Sequence, residues 1–599
     1  MKRTLFFLIL LIIIISCKPG KVDRTKEDNK EFASLLDEYF NERMQLFPIE
    51  ATLNGDNRFN NLLPADFTDN YRQRLIDFFN RYQESVNVFN RERLNDNDRI
   101  SYDIIKHEIE INLEGLTDFH LYNSTYYFID SYMPFDQFSG VPLLLGQMGS
   151  GTVIQPFKTV TDYENWLQRV TAFSSWVDSA IVYFKKGVAA DHILPKAIVK
   201  KMIPQFQAMV TDSATKSLFY EPVKLIPASF TDTDKNRLTE AYVIMINQQI
   251  IPAYNKLAVF FQTEYLPIAR NTTGVNALPY GDKYYDFMVK FWTTTNKTPD
   301  EIYKIGLEEV KRIRTEMEII QTSVLFKGDL KAFFEFIKTD EQFTPFKTST
   351  EVLDAFRRIQ ARIDPNLKKI FNKTPRTQFE IRQTEDFRAA NASAEYSPGL
   401  PDGSRPGIFY IPVLDATKYN IIGMESLFLH EAIPGHHYQI SLQAENEHLP
   451  KFRRFNWFGA YGEGYALYCE SLGKDLGLYT DPYQKMGALS SEIHRAIRLV
   501  VDVGIHTGKM TREEAIKYMM DNEDISEERA TAEIERYMVS PGQALSYKIG
   551  ELKIKELRDK YEKFLGNKFI LSDFHDELLK DGGMPLNVFE KKMDGWAKR

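Results

Sequence analysis

Cysteine is almost missing from this chain: two residues among 599, Cys17 and Cys469. A disulfide framework is therefore excluded as the basis of the fold. With 43% hydrophobic residues, the chain has ample length for a large apolar core instead. Positive charge is in deficit, 75 Lys and Arg against 83 Asp and Glu for a net −8, which disfavours nucleic acid as a partner. No short-period repeat, sustained heptad run or low-complexity tract is present, so solenoid and coiled-coil architectures drop out. Histidine is scarce too. There are ten, yet three fall within the eight residues 430–437.

The N-terminus carries a different signal. "MKRTLFFLILLIIIISC" has Lys2 and Arg3, an apolar run from Leu5 to Ile15, then Ser16 and Cys17. That order is a secretory signal, and the run is short for a membrane span. "IISC" resembles a bacterial lipobox, so residues 1–17 are expected to be a lipoprotein signal peptide with Cys17 the lipidated first mature residue. Residues 18–34 then form a polar tether. Cleavage would leave 73 basic against 83 acidic residues, or −10. The expected place is the bacterial cell envelope, lipid-anchored on the periplasmic side of a membrane, the outer one for preference.

From about residue 31 apolar residues recur at three- and four-residue steps, in "FASLLDEYFNERMQLFP", "RLIDFFNRYQESVNVF" and "RISYDIIKHEIEINLEG", which predicts helices. Residues 124–155, rich in aromatics, Gly and Pro, read as a long structured loop. "YLPIARNTTGVNALPYGDKYY" reads as a connector, dividing an N-terminal helical region (35–270) from a C-terminal catalytic region (271–599). Thr298-Pro299-Asp300 is a helix start. "GIFYIPV" (407–413) is the clearest strand. The fold class is mainly α with a small β element.

"LFLHEAIPGHHYQ" (427–439) sets the chemical question. A helix-borne His-Glu pair suits a zinc peptidase: the histidine binds metal and the glutamate moves the proton. The partner histidine normally sits four residues on, where this chain has Pro434. On a regular helix a six-residue step points His436 away from His430, and a seven-residue step puts His437 about 10.5 Å along the axis. Pro434 and Gly435 supply the irregularity. A bulge that absorbs two residues would bring His436 into the four-residue place, with His437 the alternative ligand.

A catalytic zinc takes three protein ligands. Glu463, in an apolar aromatic helix 33 residues after His430, is the candidate third, since a carboxylate there is costly unless paired. Glu431 is the candidate general base. Glu470 and Asp502 are the candidates to hold a ligand from behind. Tyr537, Tyr547 and His506 are the candidate oxyanion donors, and Arg495, Arg498 and Lys548 are available for a substrate carboxylate.

"SRPGIFYIPV", "ESLFLHEAIPGHHYQ", "GEGYALYCESLG", "RLVVDVGIHTGKMTREEAIKYM", "EIERYMVSPGQALSYKIG" and "FHDELLKDGGMPL" together resemble the domain of unknown function 885 family, over roughly residues 35–599. The resemblance implies a two-lobed helical zincin-like fold with a deep cleft. It also implies a Zn2+ site at His430, Glu431, His436 or His437, and Glu463. The expected activity is hydrolysis of short peptides, with "GIFYIPV" pairing to the extended substrate. The competing expectation is a non-catalytic lipoprotein that captures peptides or glycans for uptake.

Overall fold

Helices form where the apolar stripe recurs. Lys30–Leu46, Asp69–Asn87 and Asp96–Glu114 coincide with the first three periodic runs, and the first buries Phe32, Leu36, Tyr39 and Phe40 along one face. The structure is a computed structural model that describes residues 30–598 except 125–127, 152–153, 386–388, 390–392 and 404. The signal-like run, Cys17 and most of the tether lie outside the described residues.

The chain is mainly helical. Helix α1 (Pro299–Ser323) begins as expected: Thr298 Oγ1 accepts from Glu301 N–H, and the Glu301 carboxylate accepts from Thr298 N–H. Such a cap contributes about 1 kcal/mol. Residues 124–155 depart from the expected loop. Strand β2 (Phe128–Asp130) lies there and pairs antiparallel with β1 (Leu121–Asn123) just before it, and Val141–Gly149 is a helix. That helix, VPLLLGQMG, buries most of its residues. It has almost no polar face, so no period of polarity marks it in the sequence.

Strands β3 (Phe379–Gln383), β4 (Glu395–Ser397) and β5 (Gly407–Ile411) form the second sheet, in the order β3-β5-β4. Strand β5 runs parallel to β3, with Ile381 opposite Phe409, and antiparallel to β4, with Tyr396 opposite Phe409. It is central and largely buried, which explains its unbroken apolar run. Phe409 packs edge-on against Phe356 of helix α2 (Ser349–Ile370), ring centroids 5.2 Å apart. It also meets Phe428 of helix α3 (Met424–Glu431) at 6.1 Å. The sheet is thereby seated on the His-Glu helix.

Five further helices complete the surroundings: α4 (His436–Glu445), α5 (Gly459–Ser471), α6 (Pro482–His506), α7 (Glu527–Val539) and α8 (Leu545–Leu565). Helices α5 and α8 touch backbone to backbone: a Cβ on Gly550 would lie 1.8 Å from Ala460 O, and one on Gly464 2.5 Å from Gly550. One apolar core includes residues on both sides of the Pro/Gly-rich connector, and buried Arg453 donates to Asn97 O and to Ser101 Oγ across it. Among the described residues no helix is long and apolar enough to cross a membrane.

Candidate metal centre

The expected bulge is replaced by a complete break. Helix α3 ends at Glu431, and Ala432–Gly435 leave helical geometry, with a cis Ile433–Pro434 bond. Helix α4 starts afresh at His436. No later donor continues the ladder through Pro434; instead Ala432 N–H closes α3 onto Phe428 O and His437 N–H reaches Ala432 O. Gly435 is required by contact, since a Cβ there would lie 1.9 Å from His430 O and 2.3 Å from Leu429 O. From α5, the Tyr465 hydroxyl donates to Pro434 O at 2.9 Å and pins the turn.

The break brings His430 and His436 together, ring centroids 5.0 Å apart and nearly perpendicular. Helix α5 adds Glu463, whose Oε2 is 3.7 Å from His430 Nε2 and 3.5 Å from His436 Nε2. Ligand atoms of the three residues lie within 4.8 Å of one another. Tetrahedral bonds of about 2.0–2.1 Å to zinc place ligand atoms about 3.3 Å apart, so the spacing and the two-imidazole, one-carboxylate donor set fit a zinc ion.

Glu470, two turns after Glu463 on α5, takes the other side of the same imidazole. His430 Nδ1 is 2.8 Å from Glu470 Oε1, and Glu470 Oε2 accepts from the Ser426 hydroxyl. With the proton on Nδ1, Nε2 presents its lone pair to the cluster, which is what a metal ligand needs. Burial would lower the His430 pKa, but Glu463 and Glu470 outweigh it and hold it at about 9. Burial would raise the Glu463 pKa, but the two imidazoles outweigh it and hold the carboxyl well below the usual range. The same two carboxylates would favour a divalent cation at Nε2 in place of that proton. His436 Nδ1 is buried and makes no hydrogen bond.

Glu431 points elsewhere. Its Oε2 accepts from Tyr396 N–H at 3.1 Å, on the outer edge of β4. This counts against the expected substrate strand: β5 has a neighbour on each side, whereas β4 is the edge strand of the sheet among the described residues. Glu395, Tyr396, His430, Glu431, His436, Trp457, Glu463, Arg495, Arg498 and Tyr547 all line one cavity of about 320 Å³. A larger cavity of about 930 Å³, between Leu330–Thr339 and Arg512–Asn522, has charged surface walls and none of these residues. The His-Glu cluster opens onto the smaller one.

Several expected residues sit outside the cluster. His437 turns to the sheet: its Nδ1 is 2.9 Å from the Tyr396 hydroxyl and its ring lies tilted against Phe379, centroids 5.0 Å apart. Burial lowers its pKa to about 4. His506 is structural. Its Nδ1 accepts from Val275 N–H and its Nε2 donates to Tyr537 O, with the pKa lowered by burial to about 3. The Tyr537 hydroxyl is occupied by Arg498 Nε and Glu533, leaving Tyr547 as the expected oxyanion donor that reaches the cavity. Asp502 accepts from the Tyr285 hydroxyl and Gly542 N–H rather than pairing with Arg498 or backing a ligand. Lys548 is fully buried among Glu309, Glu492 and Glu551. Tyr396, Glu395 and Trp457 were not singled out by sequence; Glu395 and Tyr396 precede the Gly- and Pro-rich stretch SPGLPDGSRPG, and Trp457 precedes the Gly-rich start of α5.

A family model described as a bacterial protein of unknown function, DUF885, matches residues 48–593. A crystal structure of a candidate lipoprotein from Colwellia psychrerythraea aligns at 27% identity and TM-score 0.86, over 95% of this chain and 99% of that one. A candidate lipoprotein of unknown function from Shewanella oneidensis aligns at 20% identity and TM-score 0.72, over 94% and 99% of the two chains. A Pyrococcus furiosus carboxypeptidase aligns at 10% identity and TM-score 0.38 over 96% and 99%, too low a likeness to carry an argument. No curated protein matches the chain.

Proposed function

We propose, from the premise that this chain belongs to the DUF885 family, that it is a zinc-dependent peptidase of the bacterial cell envelope, with a two-lobed zincin-like fold. The observation that carries the reading is the convergence of His430, His436 and Glu463 in one cavity with Glu431, which the edge strand β4 holds through Tyr396 N–H. A structural salt-bridge cluster would account for the ion pairs, but not for their opening onto a cavity shared with Glu431.

His430, His436 and Glu463 would hold the metal, with Glu470 fixing the His430 ring. Zinc held there would supply a Lewis acid that polarises the scissile carbonyl and makes water a better nucleophile. The remaining steps belong to the chain. On the outer edge of β4 the Tyr396 N–H orients the Glu431 carboxylate, which leaves the Tyr396 C=O, facing the same side of the strand, to accept from the substrate backbone. Glu431 takes a proton from the attacking water as its oxygen adds to the carbonyl carbon. Glu431 then gives that proton to the amine nitrogen as the C–N bond breaks. Tyr547, beside Glu463 and under Arg498, is the donor for the oxyanion. The lipoprotein relatives and the sequence around Cys17 support a lipid anchor.

Glu431→Gln keeps the shape and removes the base. Zinc content and melting should match the wild type, while peptide hydrolysis falls roughly 10²- to 10⁴-fold. Undiminished turnover would reject this mechanism. Equal turnover of the wild type with and without a chelator would reject a metal-dependent one.

A further inference from the structure

Among the described residues, the cavity holds one arginine with no acidic partner. Arg495 makes a single hydrogen bond, Nη1 to Ser491 O at 3.1 Å. Its Nε is buried without a partner. Among the described residues no carboxylate comes within ion-pair distance of it; each of its neighbours on α6 that carries charge is taken. Glu492 binds Arg312 and Lys548. His494 lies against Glu523 and Glu533. Arg498, three residues on and so on the same helix face, is buried and held by Glu533 and the Tyr537 hydroxyl, over the ring of Tyr547. Its Nη1 also donates to nothing.

A guanidinium left unpaired beside a second one is an unfavourable arrangement unless an anion completes it. The fork of donors on arginine matches a carboxylate geometrically. Both arginines line the same cavity as His430, Glu463 and Glu431. A substrate carboxylate bound there would share the cavity with Glu431, whose negative charge disfavours an anion beside it. The charge pattern therefore orients the substrate, its free carboxylate toward the arginines of α6 and away from Glu431.

The geometry points to Arg495, supported by Arg498, as the anchor for the C-terminal carboxylate of the substrate, making the protein an exopeptidase that shortens peptides from the carboxyl end. This rests on the peptidase reading. Lys548 is excluded by its three glutamates.

The test uses zinc-loaded protein and N-acetylated pentapeptides of varied sequence, each made as the free acid and as the C-terminal amide, with products identified by mass. The acids should lose residues from the carboxyl end, and the amides should react roughly 10- to 100-fold more slowly, as expected for a lost charge-assisted contact. Arg495→Gln should erase that preference, and Arg495→Lys should restore part of it. Equal cleavage of acid and amide, or cleavage in the middle of the amides, would overturn the anchor while leaving the peptidase reading in place. If neither form is cut, the peptidase reading fails, and calorimetric binding of the same pairs decides the anchor. Tighter binding of the acid, lost in Arg495→Gln, supports it; equal or absent binding overturns it.

Discussion

Gly435→Ala is the sharpest probe of how this centre is built. The added methyl would lie 1.9 Å from His430 O, 2.3 Å from Leu429 O and 2.6 Å from His430 C. All three are backbone atoms of the last turn of α3, so no side chain can swing aside. Carbon–oxygen contacts of this kind sit at about 3.3 Å, so α3 and α4 must part by about 1.4 Å at the junction. That shift acts directly between the two histidines. Functional constellations tolerate roughly 0.5 Å, and the imidazole nitrogens now stand 3.7 and 3.5 Å from Glu463. Zinc affinity should fall by at least about 100-fold. Overpacking should cost the metal-free protein about 1–3 kcal/mol. Competition against a chromophoric chelator reads the first effect, and melting of the metal-free protein reads the second. Gly595→Ala is the control, since nothing lies within 4 Å of its Cβ position. Zinc affinity within twofold of wild type in Gly435→Ala would refute the claim that the close helix junction sets the ligand geometry.

Three other outcomes follow from the same geometry. His436→Ala should empty the site, whereas His437→Ala should leave zinc content unchanged, because His437 faces Tyr396 and Phe379; equal zinc loss in both would return the ligand to doubt. Glu470→Ala leaves the His430 Nδ1–H without its acceptor and should weaken zinc binding roughly 10- to 100-fold, read by the same chelator competition; an unchanged affinity would remove Glu470 from the centre. Cys17→Ser should abolish lipid attachment and release the protein from membranes in fractionation, and continued membrane association would contradict the anchor.

Helices were legible wherever one face is polar, as at Lys30–Leu46, and the strand at Gly407–Ile411 was legible because it is buried on both faces. Val141–Gly149 was not, since an element buried nearly all round shows no period. At the centre, residue chemistry pointed to His430, Glu463 and Glu470, and the structure brings all three together. Their expected helical context was only half right, because Pro434 and Gly435 end the helix instead of bulging it. His506, Tyr537 and Asp502 share the polar character of site residues, yet their partners are Val275, Glu533 and Tyr285. Sequence spacing on one helix does not reveal what packs against it. Tyr396 stayed invisible for the opposite reason: its contribution is a backbone N–H, which every residue but proline possesses.

The break between α3 and α4 also frees the centre from helical pitch. When both histidines ride one rod, their separation in sequence is dictated by 3.6 residues per turn, and inserting or deleting a residue destroys the pair. Here each histidine belongs to its own rod, and a four-residue turn, Ala432–Gly435, joins them. The count of residues between the ligands is set by that turn alone. Proteins with other counts could therefore present the same two imidazoles at the same angle, and a pattern search that insists on the four-residue interval would pass over all of them.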